Sequence, residues 1–329
     1  MRNCISAVFR KGKHHGLTLA CTLLATVFAV SGAFAAAPKV RVLATTYPVY
    51  LLTRAVAQAS PDIQVDLLIP AQAGCPHDYA LTPKDMQKLA QANIVVINGL
   101  GLEAFLEKPL ASAGKKIAII DSSVGVNAIV EEHDSARHAD HDKADAGHGD
   151  GHGHDHGGVN PHAFSSPLQA AIMTRNIGRG LAAAALDAAK NCPQTADAYA
   201  AKLEALGQRL AAVGAHAANK NVVALHDGMA YLVRDAGLNL VDVIQQDEEA
   251  QPSAARLLAL VKIIKESKPV VLMGEPQYSD KPVLALSAET GVPAVQLDPL
   301  ASGSTGVALD HYETVMSKNC ATLEKYFGK

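Results

Sequence analysis

Four short segments put a side chain capable of metal or acid–base chemistry at the end of an apolar run or at a loop-to-helix junction. They are GCPHDYALTP with His77, NPHAF with His162, VVALHDG with His226 and VQLDPL with Asp298. Three imidazoles and one carboxylate suit a tetrahedral zinc site, with ligand atoms about 2.0–2.2 Å from the ion. Manganese and iron(II) prefer more oxygen and higher coordination numbers. A lone histidine at a strand end is more often a hydrogen-bonded core or surface residue, and spacing alone leaves the two readings level. A second source of imidazole lies between Glu131 and Gly158: His133, His138, His141, His148, His152, His154 and His156, set among eight Asp/Glu and only two Lys/Arg. That tract has no large apolar side chain and cannot bury enough surface to offset its ordering entropy, so its composition predicts disorder.

The elements that must hold the four segments read as two α/β halves. In the first, VRVLATT (40–46), IQVDLLIP (63–70), IVVIN (94–98) and KIAII (116–120) are strands, and short β-branched runs of this kind are buried on both faces in parallel sheets. Helices follow from Pro48 to about Ala59, across GLEAFLEKPL, and after Thr82, where an N-cap, a proline and the acidic Asp85 mark a start. The second half repeats the theme with strands 221–225, 269–273 and 293–297. Its helices are 229–236, PSAARLLALVKIIKES with Leu257, Leu260, Val261 and Ile264 on one face, 281–290 and about 310–327. Between the halves, 193–217 keeps Tyr199, Leu203, Leu206, Leu210 and Val213 on one seam, which predicts a long linking helix. The domains expected are therefore residues 38–192, the linking helix 193–217, and 218–329. Ligands in such folds bind in the crevice beyond the carboxyl ends of the strands. His226 and Asp298 leave strand ends directly; His77 and His162 come from loops of the first half.

The N-terminus reads as an export signal. Arg2, Arg10, Lys11 and Lys13 precede an apolar run from Leu17 to Phe34 that closes in AFAAA, with cleavage expected after about Ala35 or Ala37. Removing residues 1–37 takes away four of the 29 Lys+Arg and none of the 32 Asp+Glu, leaving a net charge of about −7. There is no basic stripe, which argues against nucleic acid, whereas an acidic exported surface suits cations. Three cysteines remain: Cys75, Cys192 and Cys320. In an oxidising compartment the expectation is a Cys192–Cys320 disulfide with Cys75 left over.

The combination resembles the periplasmic zinc- and manganese-binding proteins of ABC-type metal importers, over nearly all of the chain after the signal. GCPHDYALTPKDMQKLAQANIVVINGLGLEAFLEK is similar to the family's first histidine segment, its Thr-Pro helix start and the strand and glycine turn beyond. NPHAFSSP is similar to its D-P-H-x-W-x-x-P, and LHDGMAYL and LDPL to its third and fourth ligand regions. The resemblance implies two Rossmann-like α/β lobes joined by a rigid linking helix, with one metal in the cleft held by His77, His162, His226 and Asp298. Asn160 and Phe164 stand where the family usually has Asp and Trp, outside the ligand atoms. Pro76 stands where some zinc-specific members carry a Glu, which strengthens Asp298 as fourth ligand. Cys75 is expected to pack or to remain an unpaired thiol, and His216 and His311 to be ordinary surface residues. Zinc-specific members often carry a His/Asp loop just before the second ligand, so the tract supports Zn2+.

The expected function is capture of Zn2+ in the periplasm and delivery to an ABC permease, by a monomer that is not an enzyme, with a small periplasmic zinc chaperone as a further partner. A manganese- or iron-binding relative is the first alternative. A zinc hydrolase is a second, but it needs an open water position and a general base, and the sequence offers no HExxH. A metal-binding surface adhesin is a third.

Overall fold

In a computed structural model of the 329-residue chain, the described residues are 40–73, 79–112, 116–130, 158–245 and 251–328. The expected signal segment, Cys75, Pro76, His77 and the tract 131–157 lie outside them. The first lobe runs β1 (Val40–Ala44), α1 (Tyr47–Ala57), β2 (Ile63–Leu67), α2 (Pro83–Gln91), β3 (Ile94–Ile97), α3 (Glu107–Ser112) and β4 (Ala118–Asp121). Its sheet has the order β2-β1-β3-β4, every pair parallel. Two helices follow, α4 (Pro167–Ala184) and α5 (Cys192–His216). The second lobe is β5 (Asn221–Ala224), α6 (Ala230–Asp235), β6 (Asn239–Val243), α7 (Ala254–Ser267), β7 (Val271–Gly274), α8 (Lys281–Thr290) and β8 (Ala294–Gln296), closed by α9 (His311–Phe327). Its order, β6-β5-β7-β8, is again parallel throughout.

In each sheet the strand order reverses beside the first strand, between β1 and β3 and between β5 and β7. Chain connections there leave in opposite directions and open a crevice at the carboxyl ends. The central strands β1, β3, β5 and β7 are largely buried on both faces, as their β-branched runs predict. The edge strands are less covered, and in KIAII, expected to be buried on both faces, Ile119 of edge strand β4 is 52% exposed. Val42, Ala44, Ile94 and Val96 face one core, while Leu43 and Val95 face the outer layer with Leu89 and Leu106. Val222, Ala224, Val271 and Met273 repeat this, with Val223, Leu225 and Leu272 turned toward Leu260, Ile264, Val283 and Leu286.

Helix α5 is the linking helix, and its seam is as expected: Tyr199, Leu203, Leu210 and Val213 are buried and Leu206 half-buried. It packs on α4 and α1 and also on α9 and α6, and one apolar cluster runs through both lobes. Bidentate pairs reinforce both contacts. Arg175 donates to Glu204 at 2.6 and 3.0 Å, and Arg209 to Glu324 at 2.6 and 2.7 Å. Gly178 lets α4 lie close to α5, because a Cβ there would stand 2.4 Å from that of Ala196.

Three features differ from expectation. Helix α4 and strand β6 went unassigned, although Ser166 caps α4 by accepting from the Leu168 N–H and Pro167 follows it at N1, a readable start signal. In GLEAFLEKPL the first turn, Ala104–Leu106, is a 3-10 turn and α-helix begins at Glu107. The expected Cys192–Cys320 disulfide is not formed; both thiols are free and buried. Cys192 opens α5 and contacts Ser60 Oγ at 3.4 Å, whereas Cys320 lies against the Leu206 carbonyl. Fourteen residues of helix separate those levels, about 21 Å at 1.5 Å per residue, far beyond the reach of a disulfide.

Candidate metal centre

Strand β5 ends at Ala224, and Leu225 continues the ladder by donating to the Met273 carbonyl at 2.7 Å. His226 is the next residue, at the switch point of the second sheet, and it is 6% exposed. Its extended backbone (φ −140°, ψ 161°) leads into the short turn Asp227–Met229, and its Nδ1 accepts the Gly228 N–H at 3.0 Å. Nε2 lies 3.0 Å from Asp227 Oδ1. With Nδ1 accepting, the neutral ring carries its proton on Nε2, so a cation taking that nitrogen must displace the proton or turn the ring.

His162 arrives from the other side. It is 2% exposed and opens the 3-10 turn Ala163–Ser165. The segment leading to it is held at every residue. Val159 bridges Val130, Asn160 N donates to the Ile129 carbonyl at 2.9 Å, and Tyr231 Oη donates to the Asn160 carbonyl at 2.7 Å. Asn98 Nδ2, at the end of β3, donates to the Pro161 carbonyl at 2.9 Å. Beneath that loop, Glu103 is buried, with its carboxylate accepting from Thr45 Oγ1 and from the Asn98 and Gly99 amides at 2.6, 2.6 and 3.0 Å. Burial pushes its pKa up to about 7 against the lowering effect of those donors. The His162 ring is edge-on to Phe164 at 5.8 Å and to His226 at 5.5 Å between centroids. Tyr278 covers His226 at 6.0 Å.

His162, His226 and Asp227 thus form a group whose ligand atoms all lie within 4.8 Å of one another. Two nitrogens and a carboxylate oxygen at that spacing can converge on one ion, and the nitrogen share favours zinc over harder cations. Asp298 stands outside this group. It follows β8 by two residues, and its Oδ1 accepts from Gln277 Nε2 at 2.6 Å and from the Leu300 N–H at 2.7 Å, where Leu300 is left-handed. His77 lies outside the described residues, but both flanks of its segment are anchored. Gly303 N donates to the Ala71 carbonyl at 2.8 Å, and Tyr79 Oη donates to Asp85 at 2.9 Å. Asp85 in turn closes a capping box with Thr82 at the start of α2. His216 is exposed and His311 half-buried, and neither joins the group.

The sequence reading missed three site residues. Asp227 carried a signal, being adjacent to His226 in LHDG. Glu275, the residue after β7, is buried, and its Oε2 lies 3.9 Å from where a Cβ on Gly228 would stand; only sheet order sets it beside β5. Asn160, expected to lie outside the ligand atoms, sets its amide oxygen 3.0 Å from His162 Nδ1.

Residues 42–326 match the family described as the periplasmic component A of a zinc-uptake complex. The chain is similar to the zinc-binding lipoprotein AdcA of Streptococcus pneumoniae, 30% identical over 87% of this chain and 56% of that protein. It therefore spans little more than half the length of that relative. It is also similar to the high-affinity zinc uptake system protein ZnuA of Bacillus subtilis, 28% identical over 80% of this chain and 79% of that one. Among solved structures, the solute-binding protein FpvC of Pseudomonas aeruginosa in complex with Ni2+ superposes with a TM-score of 0.72. It is 25% identical and covers 88% of this chain and 97% of its own.

Proposed function

The chain belongs to the family of periplasmic A components of zinc-uptake complexes, and on that premise we propose that it captures Zn2+ in the periplasm and hands it to an ABC permease. The observation that carries this reading is the convergence of buried His162 and His226 with Asp227 at the crevice between two parallel sheets. Residues 1–37 act as a cleaved export signal. The partners are zinc, the outer face of the permease and a small zinc chaperone, and the chain works as a monomer without catalysis.

The ion is held by His77, His162, His226 and one carboxylate. Asp298 is the expected fourth ligand, through Oδ2, since Oδ1 serves Gln277 and Leu300. Asp227 is its rival and the more solvent-facing member of the group, 35% exposed against 3% and 8% for the two histidine side chains. A carboxylate at the rim meets a hydrated cation first, and the imidazoles then replace its water. Because one core runs through α5 into both lobes, loading proceeds by side-chain and loop adjustment with little hinge closure.

The test is metal analysis and calorimetry on untagged protein dialysed against mixed Zn2+ and Mn2+. One tight equivalent of zinc is expected, lost in His77→Ala, His162→Ala and His226→Ala. Comparing Asp298→Ala with Asp227→Ala identifies the carboxylate, and unchanged tight binding in a histidine variant removes that residue from the site.

A further inference from the structure

Asn160 touches both sides of the metal group through one amide. Its Oδ1 accepts the His162 backbone N–H at 2.9 Å and lies 3.0 Å from His162 Nδ1. Its Nδ2 donates to the Asp227 carbonyl at 3.2 Å. Side chain and backbone are 1% exposed, so water does not replace either bond. The amide can sit only one way round. A flip would set NH2 against the His162 N–H and oxygen against the Asp227 carbonyl, two repulsive pairs in a buried place. An oxygen at 3.0 Å from Nδ1 requires the proton on that nitrogen, and the Asp227 carboxylate, 3.9 Å from the same atom, favours the same placement more weakly. The lone pair of the neutral ring is then on Nε2.

We infer that Asn160 is a positioning residue for metal capture: it holds His162 in the Nε2-ligating tautomer and ties that ring to the Asp227 turn of the opposite lobe. The inference rests on the reading of His162 as a zinc ligand given above. It also assigns a consequence to the residue type. An amide oxygen is a neutral acceptor, so it draws the Nδ1 proton less than a carboxylate of the same shape would, and Nε2 is a correspondingly weaker donor to the ion. Asparagine here makes a site that releases zinc faster than one with aspartate in the same place would.

Two variants of the full chain test this. Asn160→Leu keeps the volume and removes both hydrogen-bonding groups; Asn160→Asp keeps the acceptor, adds charge and removes the donor. Zinc affinity is measured by competition with a chelating dye, zinc release by stopped-flow against excess EDTA, and the His162 tautomer by ring 15N shifts in the metal-free protein. Asn160→Leu is expected to lose about 10–100-fold in zinc affinity and the Nδ1–H signature. Asn160→Asp is expected to keep that signature and release zinc more slowly. A purely structural role would lower melting temperature in both variants and leave the tautomer as in the parent. A parent His162 protonated on Nε2, or an Asn160→Leu protein that folds and binds zinc like the parent, overturns the inference. If Asn160→Leu does not fold, release from Asn160→Asp as fast as from the parent overturns it. A parent that binds no zinc sinks the functional reading instead, and the metal-free tautomer still decides what Asn160 does to the ring.

Discussion

Adding one methyl group at Gly228 tests how tightly the metal group is packed. Its backbone is not left-handed, so alanine is tolerated conformationally. A Cβ there would stand 3.2 Å from His226 Nδ1, 3.7 Å from His162 Cδ2 and 3.9 Å from Glu275 Oε2. The first contact is a few tenths of an ångström too close, so the His226 ring must retreat by roughly 0.2–0.4 Å. Zinc–nitrogen distances tolerate only about ±0.2 Å, so the whole margin is consumed at one ligand. Loss of zinc affinity comparable to breaking a supporting contact, about 10–100-fold or 1.4–2.7 kcal/mol, is expected. Overpacking adds about 1–3 kcal/mol of strain to the metal-free fold, lowering its melting temperature by roughly 2–5 °C. Gly306→Ala is the control, since nothing lies within 4 Å of a Cβ there. Dye competition for zinc, with calorimetric melting of the metal-free proteins, reads both effects. A folded Gly228→Ala protein that binds zinc like the parent would refute the placement of the ion between these two rings.

Three further outcomes are expected. Zinc should raise the melting temperature far more than Mg2+, by an amount equivalent to about 4 kcal/mol at a thousandfold excess over Kd; equal shifts would argue against a zinc site confined to the folded state. Deleting residues 133–156 should remove weak zinc equivalents and leave the tight one, because the His162 segment is fixed by Val130, Ile129, Tyr231 and Asn98; calorimetry showing the tight site gone would make the tract's histidines primary ligands. Asp85→Asn should destabilise the protein by about 1 kcal/mol at pH 7. Burial alone would raise the Asp85 pKa, but bonds from Thr82, Tyr79 and Lys88 hold it below the usual carboxylate range. Its contribution is therefore fully present above the unfolded value, about pH 4, and lost as pH falls through the lower folded one, so in urea titrations parent and variant should differ above about pH 4 and converge only at more acidic pH.

What could be read from the chain alone was local. The β-branched runs became β1, β3, β5 and β7, and the Thr82-Pro83-Asp85 start became a capped helix. The seam of Tyr199, Leu203, Leu206, Leu210 and Val213 became α5, because strand period, cap chemistry and helical stripe depend on neighbours within one or two turns. His226 was placed correctly at a strand end for the same reason. Tertiary structure decided the rest. Cys192 and Cys320 looked like partners by count, yet the path of α9 along α5 sets them several turns apart. Glu275 and His226 are 49 positions apart in sequence and neighbours only because β7 pairs with β5. Asp227, and not Asp298, came within reach of both buried imidazoles among the described residues. Asn160 acquired its role only when the second lobe's Asp227 turn closed over the His162 loop. Spacing along a chain reports which side chains can share a face; which of them share an ion depends on how two separately formed sheets are docked around one helix.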